Sequence, residues 1–208
     1  IYGRLDLSAQ ISLWIVVGVI LMAIAASVIA PYEPDVQNYD ASLEGPSAEH
    51  PLGTDLTGRD VLSRIIFGAR ASLMVGLLAV AAAILVGVPL GSIAGYIGGW
   101  PDEIVMRLMD VIISIPALVL GLAIVGTIGA SIWNVILVVA IAYSPQYARL
   151  IRGSVLSVKE EEYVEAAENI GLTNTNVLVK HIIPNALTPV LVQASYHIAT
   201  AIILEASL

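Results

Sequence analysis

Four stretches of this sequence contain no Asp, Glu, Lys or Arg: Leu7 to Tyr32, Ala71 to Pro101, Val111 to Ala148 and His181 to Leu204, of 26, 31, 38 and 24 residues. About 20 apolar residues, rising about 1.5 Å each, cross the roughly 30 Å hydrocarbon core of a bilayer, so each stretch is long enough to span one. The third is too long for a single crossing, because as one helix it would measure about 57 Å. Gly126-Thr127-Ile128-Gly129-Ala130-Ser131 interrupts it midway, and we read it as a helical hairpin. The pattern therefore predicts five transmembrane helices in an all-α, polytopic membrane protein. Composition agrees: 58% of residues are hydrophobic and 12% charged, against about half and about a quarter in soluble domains.

The same composition excludes whole classes of chemistry. With no cysteine, there is no disulfide scaffold, thiol nucleophile, iron–sulfur ligation or thiolate zinc site. A net charge of -8 argues against nucleic acid as a partner, which requires a basic footprint to replace phosphate counterions. Arg4 ahead of an apolar run suggests a signal peptide, but Leu7 to Ala30 is longer than an h-region of about 7 to 15 residues. Pro31-Tyr32-Glu33-Pro34 is also no small-residue cleavage site, so the first span is expected to be retained.

Charge asymmetry orients the spans. Glu33, Asp35, Asp40, Glu44, Glu49 and Asp55 follow the first span, whereas Arg149, Arg152, Lys159 and Lys180 follow the fourth. The positive-inside rule places the latter segment in the cytoplasm. With the N-terminus inside, six basic residues fall inside (Arg4, Arg107, Arg149, Arg152, Lys159, Lys180) and three outside (Arg59, Arg64, Arg70). Thr57 and Asp60 fit a capping signature and Asp60 with Arg64 an i,i+4 pair, so Thr57 to Arg70 is expected to form a helix lying in the outer interface. In the second span Gly87, Gly91 and Gly95 recur every four residues around Pro89. That ridge suits either close helix packing or a hinge, and Pro116 and Pro145 in the next two spans carry the same two readings.

The loop between the fourth and fifth spans is the most informative. Ser157 and Glu160 have capping-box spacing, the acids at 160 to 162 suit a helix start, and Gly171 suits a left-handed end. The expected helix has about 13 residues and measures about 20 Å. Tyr163, Ala166, Ala167 and Ile170 fall at i, i+3, i+4 and i+7 and make a narrow apolar stripe. Such a stripe either lies back on the chain's own spans or docks into another protein's groove.

Glu165-Ala166-Ala167, then Gly171, then Ile183-Pro184 resembles, at the same spacing, the EAA loop of permease subunits in binding-protein-dependent ABC importers. His181 stands where the general pattern often has isoleucine, and Lys180-His181-Ile182-Ile183-Pro184-Asn185 is similar to the variant of the dipeptide and oligopeptide (peptide/nickel) branch. Gly53-Thr54-Asp55, Gly58 to Arg64 and Gly68 to Leu73 resemble the segment before the second span in that branch. Gly98-Gly99-Trp100 with Asp102, Met106-Arg107 and Asp110 resembles the inner loop after it. The resemblance runs from about residue 8 to the end. It implies a type I ABC importer permease fold with five of six expected transmembrane helices present, and the chain is read as lacking the span after Leu208. Residues 1–55 would hold the N-terminal helix and acidic outer loop, and residues 56–208 the permease core, with the coupling loop at about 154–184.

The resemblance also implies the partners: a second homologous permease subunit, two ATP-binding subunits, an extracytoplasmic solute-binding protein and membrane lipid. No G-x-x-x-x-G-K-[ST] is present and neither Lys159 nor Lys180 follows a glycine-rich loop. The chain is therefore expected to bind no cofactor, with ATP and Mg held by the ATPase subunits. Coupling would pass through Tyr163, Glu165, Ala166, Ala167, Ile170, Gly171, His181 and Pro184. The expected cargo is short peptides; nickel or glutathione is the alternative within the class. An intramembrane enzyme is the competing class, but H-E-x-x-H and G-x-S-x-G are missing and the histidines stand apart at 50, 181 and 197. Thr188 is expected to cap a fifth helix beginning near Pro189, with His197 about 12 Å along it, near mid-membrane, and Gln193 a turn away. His197 either faces the pore, where with Gln193 it can hydrogen-bond a passing peptide backbone, or is satisfied by a neighbouring helix.

Overall fold

The computed structural model describes residues 6–207; Arg4, counted above among the inner cations, and Leu208 lie outside the described residues. The regular elements are all helices, and the β pairing among the described residues is one isolated bridge between Thr54 and Asp60. The chain divides into two compact units, Ile1–Met74 and Val75–Leu208.

In the first unit, α1 (Leu7–Ile24) starts at Asp6, whose carboxylate accepts the Leu7 N–H at 2.8 Å and the Ser8 hydroxyl at 2.9 Å. α1 is apolar all round and only 6% of its span is buried, as befits a helix solvated by lipid. A break at Ala25 leads into the short α2 (Ala26–Ile29). The stretch up to residue 60 then folds around two aspartates. Asp55 accepts from the Thr57 N–H and hydroxyl at 2.8 and 2.7 Å, from Arg59 Nε at 2.8 Å and from Arg64 Nη1 at 2.6 Å. Asp60 accepts from the Ser63 N–H and hydroxyl, both at 2.7 Å, and meets His50 Nδ1 at 3.0 Å. Two expectations are corrected here. Asp60 caps the next helix while Thr57 is occupied by Asp55, and Arg64 pairs with Asp55 because His50 and Ser63 already take the Asp60 oxygens.

That next helix, α3 (Val61–Ile97), has 37 residues and is about 55 Å long. The separate interfacial helix expected over Thr57 to Arg70 is instead the first three turns of α3. Arg70 and Ala71 are both strong helix formers, so nothing there stops the hydrogen-bond ladder.

The second unit is built on α6 (Ile132–Val158), which buries Val139, Tyr143, Tyr147, Ile151 and Val155 in one cluster with Val75, Ala79 and Ala83 of α3. The glycine ridge is a contact surface. A Cβ on Gly87 or Gly91 would collide with the carbonyl oxygen of Ser144 or Ala148, and one on Gly95 would lie 3.0 Å from that of Arg152. Both helices advance four residues per contact in the same sense, so α3 and α6 run parallel and backbone meets backbone.

Between them, α4 (Gly99–Ile113) and α5 (Ala117–Ile128) meet at a 79° bend across Pro116. The third span is thus no single straight helix: Pro116 donates no N–H, and α5 alone is about 18 Å long, too short for the hydrocarbon core. The segment likened to an inner loop is the helix α4. The hairpin turn falls where expected, with α5 ending at Ile128, Gly129 at φ +93° and α6 starting at Ile132. After α6 come α7 (Glu162–Asn169), α8 (Asn174–Val177), a π turn (Leu178–Ile182), α9 (Ile183–Ala186) and α10 (Thr188–Glu205). The 174–186 segment and α10 bend by 54° and together match the fifth span. Thr188 is the first residue of α10 and caps nothing, since the chain is already helical before it.

Candidate functional site

The residues singled out by their spacing lie mostly on α7, where the structure shortens the expected helix. Ser157 lies in the last turn of α6, which runs to Val158, and so caps nothing. α7 begins at Glu162 after Glu161 without a side-chain cap, and its 8 residues measure about 12 Å. Its end is as expected. Gly171 lies at φ +87°. Its N–H donates to the Glu168 carbonyl at 2.9 Å and the Leu172 N–H to that of Ala167 at 3.3 Å. These are the two bonds of a Schellman cap, with the left-handed position taken by the residue that has no Cβ.

The apolar stripe splits in two. Val164 and Ala167 are buried, 1% and 5% exposed, in the cluster that also holds Val155, Val177 and Ile182. Tyr163, Ala166 and Ile170 face outward at i, i+3 and i+7, with Ile170 78% exposed. The expected four-residue stripe is corrected in one member: Ala167 faces the chain's own core, and the outward face is Tyr163, Ala166 and Ile170. Glu165 and Gly171 are exposed beside them. Seating α7 on the core and presenting a face to a partner are thus both possible, because the two sets of side chains point in opposite directions.

A polar tie adds to the apolar seat. The Tyr96 hydroxyl, near the end of α3, donates to Glu168 Oε1 at 3.2 Å. Sequence reading missed Val164, Tyr96 and Glu168; a contact across 72 residues leaves no trace in local spacing. His181 lies half-buried in the π turn and Pro184 is exposed in the first turn of α9, where the Asn185 amide donates to the His181 carbonyl at 2.7 Å. Both belong to the helical segment after α7, so the structure sets them on a different element from the α7 face.

Nearby, Asp102 of α4 takes Arg152 of α6 in a two-pronged pair, Nε and Nη2 each at 2.5 Å, and Arg149 pairs with Asp110. The inner-side cations that set the topology are thus partly neutralised by α4. Gln193 lines a pocket of about 370 Å³ with Gln146, Arg149, Ile113 and Leu150. His197 is 2% exposed. It stacks on Tyr143 at 4.4 Å, meets the edge of Tyr147 at 5.1 Å and lies 2.9 Å from the Gln193 amide nitrogen. His197 thus packs its ring on α6 and takes its hydrogen bond from its own helix, while its Nδ1 has no partner among the described residues.

Comparison with known proteins fits this arrangement. Residues 87–208 match the family described as binding-protein-dependent transport system inner membrane component. The chain belongs to this family. As a member of this inner-membrane transport family, it also matches, over residues 8–46, the N-terminal transmembrane domain of oligopeptide transport permease C. The dipeptide transport system permease protein of Alkalihalophilus pseudofirmus is 42% identical over 96% of this chain and 66% of that protein. The probable D,D-dipeptide transport system permease protein of Escherichia coli is 41% identical over 93% and 65%. The glutathione transport system permease protein of Pectobacterium atrosepticum is 40% identical over 91% and 64%. The chain therefore spans about two thirds of the length of these relatives. A crystal structure of an amino acid ABC transporter with histidines superposes with a TM-score of 0.52 at 22% identity, over 65% of each chain. It shows the shared fold, that of a type I importer permease.

Proposed function

We propose that this chain is a permease subunit of an ABC importer for short peptides, driven by ATP hydrolysis on separate subunits. The carrying observation is the two-sided α7: Val164, Ala167 and the Tyr96–Glu168 bond fix it to the permease core, and Tyr163, Ala166 and Ile170 remain exposed. A helix seated in this way transmits force. A push from an ATPase groove on Ala166 reaches Val155 of α6 through Val164, and α6 is in backbone contact with α3. Closing and opening of two ATP- and Mg-binding subunits would thereby tilt the spans, open the path to each side in turn, and let an extracytoplasmic binding protein deliver the cargo. The segment around α7 carries Glu160, Glu161, Glu162, Glu165 and Glu168, so the partner groove is expected to be basic at its rim.

Peptide as cargo rests on the relatives, two of which are named for dipeptide transport. Glutathione is the second reading, because a relative of 40% identity is named for it. Uptake by the reconstituted assembly separates them. Import of labelled dipeptide that unlabelled di- to pentapeptides compete away, and that glutathione and nickel leave unchanged, is the expected result. Uptake of glutathione or nickel that peptides do not compete would replace the cargo and keep the permease reading. Ala166→Trp should abolish uptake while the chain still inserts; full uptake by that variant would overturn the coupling role.

A further inference from the structure

A groove runs beside the tie that holds α7. Val88, Ser92 and Tyr96 of α3 form one wall and Leu178, Val179 and Ile183 the other, enclosing about 590 Å³. This falls within the range of about 300–1,000 Å³ common to small-ligand sites. The wall is mostly apolar, with Asn174, Thr175 and the Tyr96 hydroxyl as further polar groups beside Ser92, which is fully buried and whose hydroxyl has no hydrogen-bond partner among the described residues. A buried hydroxyl left unmatched in an apolar wall is unfavourable unless something accepts from it. Adjoining it is a second cleft of about 640 Å³ lined by Lys159, Glu160, Glu168 and Leu172, and Tyr96, Ile97 and Asn174 line both. An apolar trough thus meets a polar basin holding one cation and two carboxylates. Lys159 forms no ion pair within 4 Å among the described residues, its charge acting at longer range on Asp102.

We infer that these two adjoining clefts together bind one phospholipid with a phosphoethanolamine head. An acyl chain fills the trough, an ester carbonyl accepts the Ser92 hydroxyl, the phosphate meets Lys159, and the ammonium donates to Glu160 and Glu168. The order of groups fits the helix: Ser92 lies about one turn, about 6 Å, below Tyr96 at the basin, and Val88 about one turn deeper still. Charge selects the head. An anionic head would set its phosphate against two carboxylates with no cation of its own, and a quaternary choline nitrogen has no N–H to donate. The occupant is at hand, since the chain is an inner-membrane component. The lipid would compete with Tyr96 for Glu168 and so bear on the seating of α7. That consequence rests on the proposed coupling role; the binding does not.

The test uses the intact transporter, stripped in detergent and titrated separately with phosphatidylethanolamine, phosphatidylglycerol and phosphatidylcholine, with bound lipid counted by native mass spectrometry. Phosphatidylethanolamine should be retained about fivefold over the other two, as expected for one partly exposed charge pair. Lys159→Ala and Glu168→Gln should each reduce that preference. Ser92→Val should weaken retention of all three lipids without changing their order. The chain has no cysteine, so a benzophenone on Val179→Cys reports the occupant directly and should cross-link to the lipid. Equal retention of the three lipids, a preference that survives Lys159→Ala with Glu168→Gln, or a cross-link to another subunit would each overturn the proposal. Retention is read without ATP or cargo, so its failure leaves the transport reading untouched, and failed uptake with lipid binding intact would do the reverse.

Discussion

Gly171 ends α7 at φ +87° with no atom within 4 Å of where a Cβ would stand. The constraint on it is therefore conformational, and substitution strains the backbone without a clash. Gly171→Val should destabilise the Schellman turn by about 1–2 kcal/mol, loosen Ile170 and lower uptake, whereas Gly171→Asn should retain most activity; equal uptake by both would show the turn to be dispensable. Asp55 and Asp60 organise the outer segment in a different way. Burial raises the pKa of each carboxyl, but at Asp55 the hydrogen bonds from Thr57 and Arg59 outweigh it and hold the pKa far below the ordinary carboxylate range. At Asp60 the hydrogen bonds from Ser63 and the contact with His50 likewise outweigh burial and lower the pKa. Both folded-state values lie below the unfolded one. Their stabilisation is therefore complete above about pH 4, and is lost as pH falls below that through the folded values. A nitroxide on Leu52→Cys should stay immobile down to about pH 4 and gain mobility below it. Asp60→Asn should make the label mobile at neutral pH. At this scale Gly171 was legible in the sequence because a helix end has a local signature. The burial of His197 was not, since it depends on Tyr143 and Tyr147 about 50 residues earlier.

Among the elements, α3 and α6 meet through Gly87, Gly91 and Gly95 at the carbonyls of Ser144, Ala148 and Arg152. A methyl group at Gly91 has no room, while one at Gly18 of α1 meets nothing within 4 Å. Gly91→Ala should therefore destabilise the protein by about 1–3 kcal/mol through overpacking. Gly18→Ala should be neutral or stabilise by up to about 1 kcal/mol. Thermal unfolding of the two variants in detergent checks this, and an unchanged Tm for Gly91→Ala would mean that the ridge is a moving seam. The four-residue spacing made the ridge visible in the sequence, but not its partner. Helix ends were harder to read. Ser157 and Thr57 both carry capping signatures, but α6 runs through Ser157 and Asp55 occupies Thr57. A local signature loses whenever a longer ladder or a stronger acceptor reaches the residue first.

For the molecule as a whole, charge-free length predicts five crossings; the described residues hold three continuous helices long and apolar enough to cross a membrane and two bent pairs, which make five where each bent pair is one crossing. What length could not show is that two crossings break, at Pro116 and before Thr188, or that Asp102 and Asp110 pair with the arginines used to assign the inner side. Pairing weakens the net-charge argument there, although the positive-inside rule counts Lys and Arg and gives acids little weight. Helix direction supplies independent support. α3 and α6 run parallel, and α10 runs against both: Gly76 of α3 meets Ile202 and Ile198, and Tyr143 and Tyr147 of α6 meet Thr200 and His197. Chain order predicts this for the second, fourth and fifth of five successive crossings, since even-numbered spans share a direction and odd-numbered ones oppose it. A chain that crosses in this order is expected to put the Arg149 to Lys180 segment on the opposite side of the membrane from the Pro31 to Asp55 segment. Ser42 and Asn174, one on each segment, are both exposed, and a chain without cysteine gives no background. An impermeant thiol reagent added to intact cells should label Ser42→Cys at once and Asn174→Cys only after permeabilisation. The reverse order would invert the topology, place α7 outside the cell and remove it from any contact with an ATPase. Labelling of both from outside would mean that α3 to α6 do not make an odd number of crossings, and the bent α4–α5 pair would then be a re-entrant loop.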